Sequence, residues 1–409
     1  MNVIITPTPL KGRVAVPPSK SQAHRLIIAA GLAEGESVIK NVSYSQDIEA
    51  TIRCMTELGA AFTRDGSTLT VQGMGANSMS PNRRMAIPHL DCGESGSTLR
   101  FLIPVALAVR GGGVFTGQGR LMERPLQPYF DLFDEKGISY ELKDNTLTVS
   151  GQLTPGDYTL PGHVSSQFFT GLMFALPLLS GDSKIVITSP LESGSYVEMT
   201  RDAMRTAGVH SDKGNLPGDQ TYKPFTATVE ADWSQAAFFY AAHGLYNEVS
   251  MGGLNPFSTQ GDSQIVHFYQ ELCGSDEEAA QDVSQCPDLF PPLAVMAALR
   301  DRCTTHIGGA ARLRLKESDR INAVVEALRK FGLAVEEFPD GISLTGKSQL
   351  RGDVVIDSHN DHRIAMMAAI AATRATGPVT ITNAECVAKS YPDFWEVYES
   401  LGGQIVRED

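Results

Sequence analysis

Short polar clusters followed by Ala-rich apolar runs recur along the chain. The first is PPSKSQAHRLIIAAGLA, from Pro17 to Ala33, where Pro-Pro and Ser19 to Ser21 mark a helix start. Leu26, Ile27, Ala29, Ala30 and Gly31 then make a small helix that can be buried. Gly93 to Arg100 leads likewise into FLIPVALAV, Ser165-Ser166-Gln167 into FFTGLMFALPLL, and Asp232 to Gln235 into AAFFYAAHGL. Cys286-Pro287-Asp288 opens LFPPLAVMAAL, and Asn360-Asp361-His362-Arg363 opens IAMMAAIAA. Strand-like pieces such as KIVITSP and PVTITNA follow these runs. Spacings of roughly 50 to 80 residues make six copies of one supersecondary unit, each too small to bury its own apolar face.

In chain order, residues 1 to 16 alternate like a strand, and Ser37 to Asn41 reads as a strand after the first helix. A second helix, Asp47 to Leu58, stops at Gly59, and LTVQG closes the unit as a hairpin, which gives the order β-α-β-α-β-β. A second copy is expected from Met85, with helices from Ser97 and over Leu126 to Lys136, and a hairpin turning at Asp144-Asn145. The third runs from Tyr158 to about Ala227, and its Pro/Gly-rich tail SDKGNLPGDQTYKP predicts a domain crossover just beyond it. The fourth is short: after the helix Ile265 to Cys273 no hairpin is evident. The fifth has a regular amphipathic helix over Ser318 to Phe331 with Gly332 as its stop, and the sixth ends in the helix PDFWEVYESLG.

Length and charge narrow the picture. The 409 residues suffice for two domains, and 42% hydrophobic with 20% charged residues is a globular composition. A net charge of -13 argues against nucleic acid or an anionic membrane as partner. The apolar runs are broken by Gly or Pro before they reach a membrane span, and the N-terminal segment lacks a signal-peptide pattern. Six scattered cysteines without a CxxC pair fit reduced thiols and a cytoplasmic location.

Against that acidic background, Lys20, Arg25, Arg100, Arg320 and Arg363 all fall at expected helix starts. The helix dipole disfavours a cation there by about 0.3 to 1 kcal/mol, so their recurrence points to bound anions, phosphate or carboxylate. Lys316 and Arg320 are four apart and share a side if both are helical. Arg124 reads either as another anion ligand or as the ion-pair partner of Glu123, and Lys389 is equally ambiguous. Asp288 and Glu317 are candidates for proton transfer, although Asp288 after Pro287 also reads as a helix cap. Ser165 and Ser166 suit hydrogen bonds to phosphate, with no base nearby to make either a nucleophile. Gly341 to Ser348 matches the Walker A pattern letter for letter, but ISLT reads as a strand and another strand follows, so it is rejected as a nucleotide loop. His359 and His362 lack further ligands at useful spacing, and no metal is expected.

PPSKSQAHR, SGSTLR, ERPL, SSQF, PDLFPPLAV, KESDR, NDHR and the segment around Lys389 occur in that order. With these motifs the chain resembles the 5-enolpyruvylshikimate-3-phosphate synthase family over nearly its whole length. The resemblance implies an α/β (α+β) fold, a two-domain inverted α/β barrel-like architecture of six β-α-β-α-β-β units, three per domain. It implies a discontinuous first domain, 1–17 plus 229–409, a second over 18–228, and an active site in the cleft between them. The implied reaction moves the enolpyruvyl group of phosphoenolpyruvate to the 5-hydroxyl of shikimate 3-phosphate and releases phosphate, with no cofactor or metal. Carried over by motif, Lys20, Ser21, Arg25, Ser165, Ser166, Ser193, Asp288 and Lys316 would contact shikimate 3-phosphate. Lys20, Gly96, Arg124, Gln167, Arg320, Arg363 and Lys389 would hold phosphoenolpyruvate. Asp288, Glu317 and Lys20 would be catalytic, and the enzyme would act as a monomer on its two small-molecule substrates.

The chain departs from the family pattern at Glu94-Ser95, at Arg312, and in the short fourth unit. A sister family acting on UDP-N-acetylglucosamine shares the implied architecture. Its members usually carry a reactive cysteine in the middle of the chain, whereas Gly111 to Pro125 contains none. A catalytically silent anion-binding paralogue is the other alternative, against which Lys20, Asp288 and Glu317 speak.

Overall fold

The computed structural model describes residues 1–75, 87–275 and 277–408. The expected start of the second repeat at Met85 lies outside them, and the first strand described there is His89–Asp91. The backbone divides into two compact units, Met1–Pro17 with Ala231–Asp409, and Pro18–Glu230.

In the Pro18–Glu230 unit the helices are α1 (Lys20–Leu32), α2 (Gln46–Leu58), α3 (Gly96–Arg110), α4 (Gln127–Lys136), α5 (Ser166–Ala175) and α6 (Gly194–Thr206). In the other unit they are α7 (Trp233–Gly244), α8 (Ile265–Gly274), α9 (Phe290–Ala297), α10 (Arg320–Lys330), α11 (His362–Ala372) and α12 (Phe394–Ser400). Among the described residues, strands gather into six small sheets of two to four strands each.

One geometry repeats. His89–Asp91 pairs parallel with Gly112–Thr116 across α3, Gly156–Leu160 with Ser183–Ile187 across α5, Ala279–Asp282 with Thr304–Gly308 across α9, and Val354–Asp357 with Val379–Thr382 across α11. A parallel pair needs such a crossover, and each helix therefore starts at the carboxyl ends of its strands, where open α/β sheets bind ligands. Outside the short fourth repeat, the second helix of a repeat leads instead to an antiparallel strand, and Asp144 and Asn145, both with positive φ, turn the hairpin Ser139–Lys143 with Thr146–Ser150.

Burial separates the two kinds of helix. Every residue of α11 is buried, as is nearly all of α3 and α9, which explains their Ala-rich sequences without a polar face. By contrast, α2 and α10 are amphipathic, and α10 turns Ile321, Val324, Val325 and Leu328 inward. Each unit encloses its own apolar core, around Phe101, Phe115, Phe168 and Phe174 in one and Phe238, Phe290, Ile370 and Phe394 in the other. α3 and α5 approach closely because Gly171 has no side chain, and a Cβ there would lie 2.5 Å from the Arg100 carbonyl oxygen.

Several elements differ from expectation. Residues 1 to 16 form two strands in separate sheets: Asn2–Thr6 lies between Val379–Thr382 and the C-terminal strand Gln404–Glu408, and Lys11–Ala15 pairs with Glu248–Gly252. Among the described residues that last pair forms a two-stranded sheet by itself, which accounts for the short fourth repeat. The third repeat sends Thr226–Thr228 to the first repeat's sheet beside Glu36–Lys40. α10 begins at Arg320, not Ser318, because Asp319 caps it by accepting from the Asn322 amide at 3.1 Å. Lys316 ends a preceding 3-10 turn, Ala311–Leu315, so it and Arg320 do not share a helical face. Gly341–Thr345, inside the Walker-like segment, is a strand of the sheet with Thr304–Gly308. No helix among the described residues is long and apolar enough to cross a membrane.

Candidate active site

The candidate side chains collect near helix starts, in one set per unit. In the Met1–Pro17 and Ala231–Asp409 unit the centre is Arg320, the first residue of α10 and 1% exposed. Its Nε donates to Asp361 Oδ2 at 2.9 Å, Nη1 to Asp288 Oδ1 at 3.0 Å and Nη2 to Glu317 Oε2 at 2.8 Å. Asp361 also caps α11, accepting from the Arg363 amide at 2.9 Å. Arg363 Nη2 donates to Asp288 Oδ2 at 2.8 Å and to Ser234 Oγ at 3.0 Å. Asp288 therefore uses both oxygens on guanidinium groups. It lies within the 3-10 turn Pro287–Leu289 and does not cap the following helix, because its carboxylate is drawn to the arginines instead. Lys389 is buried and donates to the Asn360 carbonyl at 2.7 Å.

The electrostatics of this set follow from the pairing. Burial pushes the Asp288 carboxyl up, but the charges of Arg363, Lys316 and Arg320 outweigh it and hold the group far below the usual carboxylate range. Burial pulls Arg320 down, and Asp361, Glu317 and Asp288 more than reverse it, so the guanidinium stays charged.

In the Pro18–Glu230 unit, Ser19 caps α1 and Lys20 Nζ lies 2.9 Å from Asp47 Oδ2. Arg25, 2% exposed, donates only to neutral oxygens: Thr200 Oγ1 at 2.9 Å, the Ser21 carbonyl at 2.6 Å, Thr170 Oγ1 at 3.3 Å and the Tyr196 carbonyl at 3.1 Å. Burial lowers its pKa to about 10, which leaves it charged at neutral pH. Arg124 is 7% exposed, and its Nε is buried without a hydrogen-bond partner. Glu123 pairs with Arg120, not with Arg124. The Arg124 guanidinium lies against Gly96, where a Cβ would come within 2.7 Å of Nη1. Arg100 Nη1 donates to Gln167 Oε1 at 2.7 Å, and Gln167 Nε2 donates to Ser97 Oγ at 3.1 Å. Ser165 caps α5 and Ser166 is buried at its first position. Ser193, buried and in the left-handed region at φ 54, precedes α6. The structure thus sets Gly96 with Arg124, and Gln167, at helix starts of one unit, and Asp288, Glu317, Arg320 and Arg363 near those of the other; Arg25 lies not at a helix start, as expected, but in the second turn of α1.

Buried guanidinium groups with only neutral partners, or none, are costly unless an anion meets them, and Arg25 and Arg124 are both of this kind. That chemistry suits anionic ligands in the Pro18–Glu230 unit, and the other unit sets the carboxylates of Asp288 and Glu317 on one guanidinium. The profile of the family described as EPSP synthase (3-phosphoshikimate 1-carboxyvinyltransferase) matches residues 4–398. The chain belongs to the EPSP synthase family. It is 44% identical to the 3-phosphoshikimate 1-carboxyvinyltransferase of Clostridium kluyveri over 98% of both chains. It is 45% identical to that of Clostridium acetobutylicum, over 99% of this chain and 98% of the other. Among solved structures it is similar to an EPSP synthase from Acinetobacter baumannii, with a TM-score of 0.79 and 25% identity over 99% of this chain and 100% of that one. The six small sheets flanked by helices are the fold of this EPSP synthase family.

Sequence reasoning missed several residues that hold the candidate side chains in place. Asp361 and Asp47 hold Arg320 and Lys20, Ser234 holds Arg363, and Thr170, Thr200 and Tyr196 hold Arg25. Asp361 stands inside NDHR and carries the ordinary signal of a helix cap, Asp before a buried run, but nothing local ties it to an arginine 41 positions away. His359 Nε2 lies 2.9 Å from Glu326 Oε2, and His362 is buried at the start of α11.

Proposed function

We propose that the chain is a 3-phosphoshikimate 1-carboxyvinyltransferase, and that the residue sets of its two units serve one reaction. It transfers the enolpyruvyl group of phosphoenolpyruvate to the 5-hydroxyl of shikimate 3-phosphate. The reading rests above all on the buried guanidinium groups of Arg25 and Arg124, left without an anionic partner in a chain of net charge -13. Both substrates carry a phosphate and a carboxylate, which planar guanidinium forks bind well. Family membership speaks against the sister activity on UDP-N-acetylglucosamine.

Lys20, Ser21, Arg25, Ser165, Ser166, Ser193, Asp288 and Lys316 hold shikimate 3-phosphate in this reading. Lys20, Gly96, Arg124, Gln167, Arg320, Arg363 and Lys389 hold phosphoenolpyruvate. The 5-hydroxyl oxygen attacks C2 of phosphoenolpyruvate, its proton passes to Asp288, and Glu317 delivers a proton to C3. Glu317 then takes a proton back from the new methyl group as the C–O bond to phosphate breaks, and Lys20 stabilises the departing phosphate. The proton taken up by Asp288 leaves with the phosphate, so atoms balance without metal or organic cofactor.

Asp288 is a weak base while Arg320 and Arg363 hold both of its oxygens. An anionic substrate on those guanidinium groups offsets their charge and raises the affinity of Asp288 for a proton when the hydroxyl must be deprotonated. Preplaced cations facing the charge of the tetrahedral adduct supply much of the acceleration. Each unit has its own core, and the reading takes the enzyme as a cytoplasmic monomer.

The test is phosphate release from phosphoenolpyruvate with shikimate 3-phosphate, and separately with UDP-N-acetylglucosamine. Release with shikimate 3-phosphate alone is expected. Tight binding without turnover would support the silent paralogue, and release only with the sugar nucleotide would overturn the reading.

A further inference from the structure

A buried polar chain in the Pro18–Glu230 unit has no part in the reaction just described. His24 Nδ1 lies 2.7 Å from Thr51 Oγ1, Thr51 Oγ1 lies 2.7 Å from Thr98 Oγ1, and Thr98 Oγ1 lies 2.7 Å from Ser95 Oγ. The residues stand on α1, on α2 and at the start of α3, and all are fully buried. Such a chain costs desolvation at every member unless each proton has a fixed destination.

The destinations can be assigned. Ser95 Oγ accepts from the Thr98 amide at 3.2 Å as the cap of α3, and also from the Thr98 hydroxyl. The other acceptor near Thr98 Oγ1 is the Asp47 carbonyl, at 3.4 Å. The single Thr98 proton therefore points away from Thr51, so Thr51 donates to Thr98 and accepts from His24. His24 carries its proton on Nδ1, and its Nε2, buried without a partner, is the bare lone pair. Burial, with Lys20 and Arg25 nearby, keeps the ring neutral.

We infer that His24 and Thr51 are positioning residues that fix the Ser95-Gly96 turn against the carboxylate holding Lys20. The ends of the chain carry the argument. At one end Ser95 precedes Gly96, which lies against the Arg124 guanidinium. Beside it Asp47 presents its carbonyl to Thr98 and its carboxylate to Lys20 Nζ. Lys20, Gly96 and Arg124 are the groups of this unit that, with Gln167, hold phosphoenolpyruvate in the proposed function, and the inference rests on that reading. Lys20 serves both substrates in that reading but Gly96 and Arg124 only phosphoenolpyruvate, so loss of the chain is expected to weaken phosphoenolpyruvate binding more than shikimate 3-phosphate binding.

Thr51→Val in the full-length protein keeps the side-chain shape and removes the hydroxyl. One hydrogen bond is worth about 0.5 to 1.5 kcal/mol, so KM for phosphoenolpyruvate should rise about three- to tenfold. KM for shikimate 3-phosphate should stay within about twofold, and Thr51→Ser should restore the wild-type value. Nitrogen-15 NMR of the wild-type protein should show His24 protonated at Nδ1 and bare at Nε2 at neutral pH, a readout that holds even if the valine variant fails to fold. An unchanged KM for phosphoenolpyruvate, an equal rise for both substrates, no rescue by serine, or a proton on Nε2 would each overturn the inference. Absence of phosphate release by the wild-type enzyme would instead sink the proposed function and leave the tautomer to be decided by the spectrum.

Discussion

Arg320 and Asp361 are joined by two hydrogen bonds, Nε to Oδ2 at 2.9 Å and Nη2 to Oδ1 at 3.2 Å, with 1% and 0% of their side chains exposed. This buried fork ties the start of α10 to the start of α11, and so fixes Arg363 relative to Arg320. Ser318 Oγ completes it by donating to Asp361 Oδ2 at 3.1 Å.

Removing that carboxylate leaves a buried guanidinium short of charge and the α11 start uncapped. Asp361→Ala should destabilise the protein by about 3 to 5 kcal/mol, in the range for a broken buried ion pair. Asp361→Asn keeps an acceptor for the cap and should cost less, about 1 to 3 kcal/mol. Urea unfolding measures both. An alanine variant within about 1 kcal/mol of wild type would show that the fork contributes little.

Gly96 opens α3 without the positive φ that reserves a position for glycine, so Gly96→Ala leaves the helix intact and stability within about 1 kcal/mol. The new methyl must push the Arg124 guanidinium, whose Cζ and Nη2 would each be 2.9 Å from it. KM for phosphoenolpyruvate should rise about tenfold or more, and KM for shikimate 3-phosphate should hardly change. Equal effects on both would place Arg124 wrongly.

Much of this was legible along the chain because its signals are local. Ala-rich runs after Ser, Asp or Gly marked helix starts near Lys20, Ser97, Ser166 and Arg363, and the helices begin there or within two residues. The counter-charges were not legible. Asp47 meets Lys20 from 27 positions away and Asp361 meets Arg320 from 41, distances at which no periodicity connects two residues. For the same reason Asp288 read as a cap: only the fold brings Arg320 and Arg363 to it, and charge then outweighs the local amide. The start of α10 slipped because Ser318 and Asp319 both make good caps, and Asp361 engages the first while the second takes the helix. The two-stranded sheet of the fourth repeat was unreadable because its other strand, Lys11–Ala15, comes from the far end of the sequence.

Asp288 links the site to acid stability. Its carboxyl titrates well below the ordinary 3.8 in the folded protein, so on acidification the unfolded chain takes up this proton first. The stabilisation is fully present above about pH 5, begins to fall near pH 4, and is lost as pH drops toward the folded-state value. Asp288→Asn removes it. The stability difference between wild type and variant should be constant above about pH 5 and shrink below about pH 4, measured by urea unfolding across that range. A difference that grows on acidification would contradict the ion pairing described for Arg320 and Arg363.

Glu317 separates binding from chemistry. Its Oε2 accepts from Arg320 Nη2 at 2.8 Å, and an amide oxygen in the same place can accept that hydrogen bond, so Glu317→Gln should fold normally and keep Arg320 in position. What glutamine cannot do is give a proton to C3 and take it back, two steps that general acid-base catalysis accelerates by about 10²- to 10⁴-fold each. Turnover should therefore fall by at least about a hundredfold, with KM for shikimate 3-phosphate within about threefold of wild type. Carrying out the reaction in deuterium oxide adds a direct readout: the wild-type enzyme should exchange deuterium into the methylene group of phosphoenolpyruvate when shikimate 3-phosphate is bound, and the variant should not. If exchange persists in the variant while turnover falls, the proton at C3 comes from another group, and Lys20 becomes the one to substitute next.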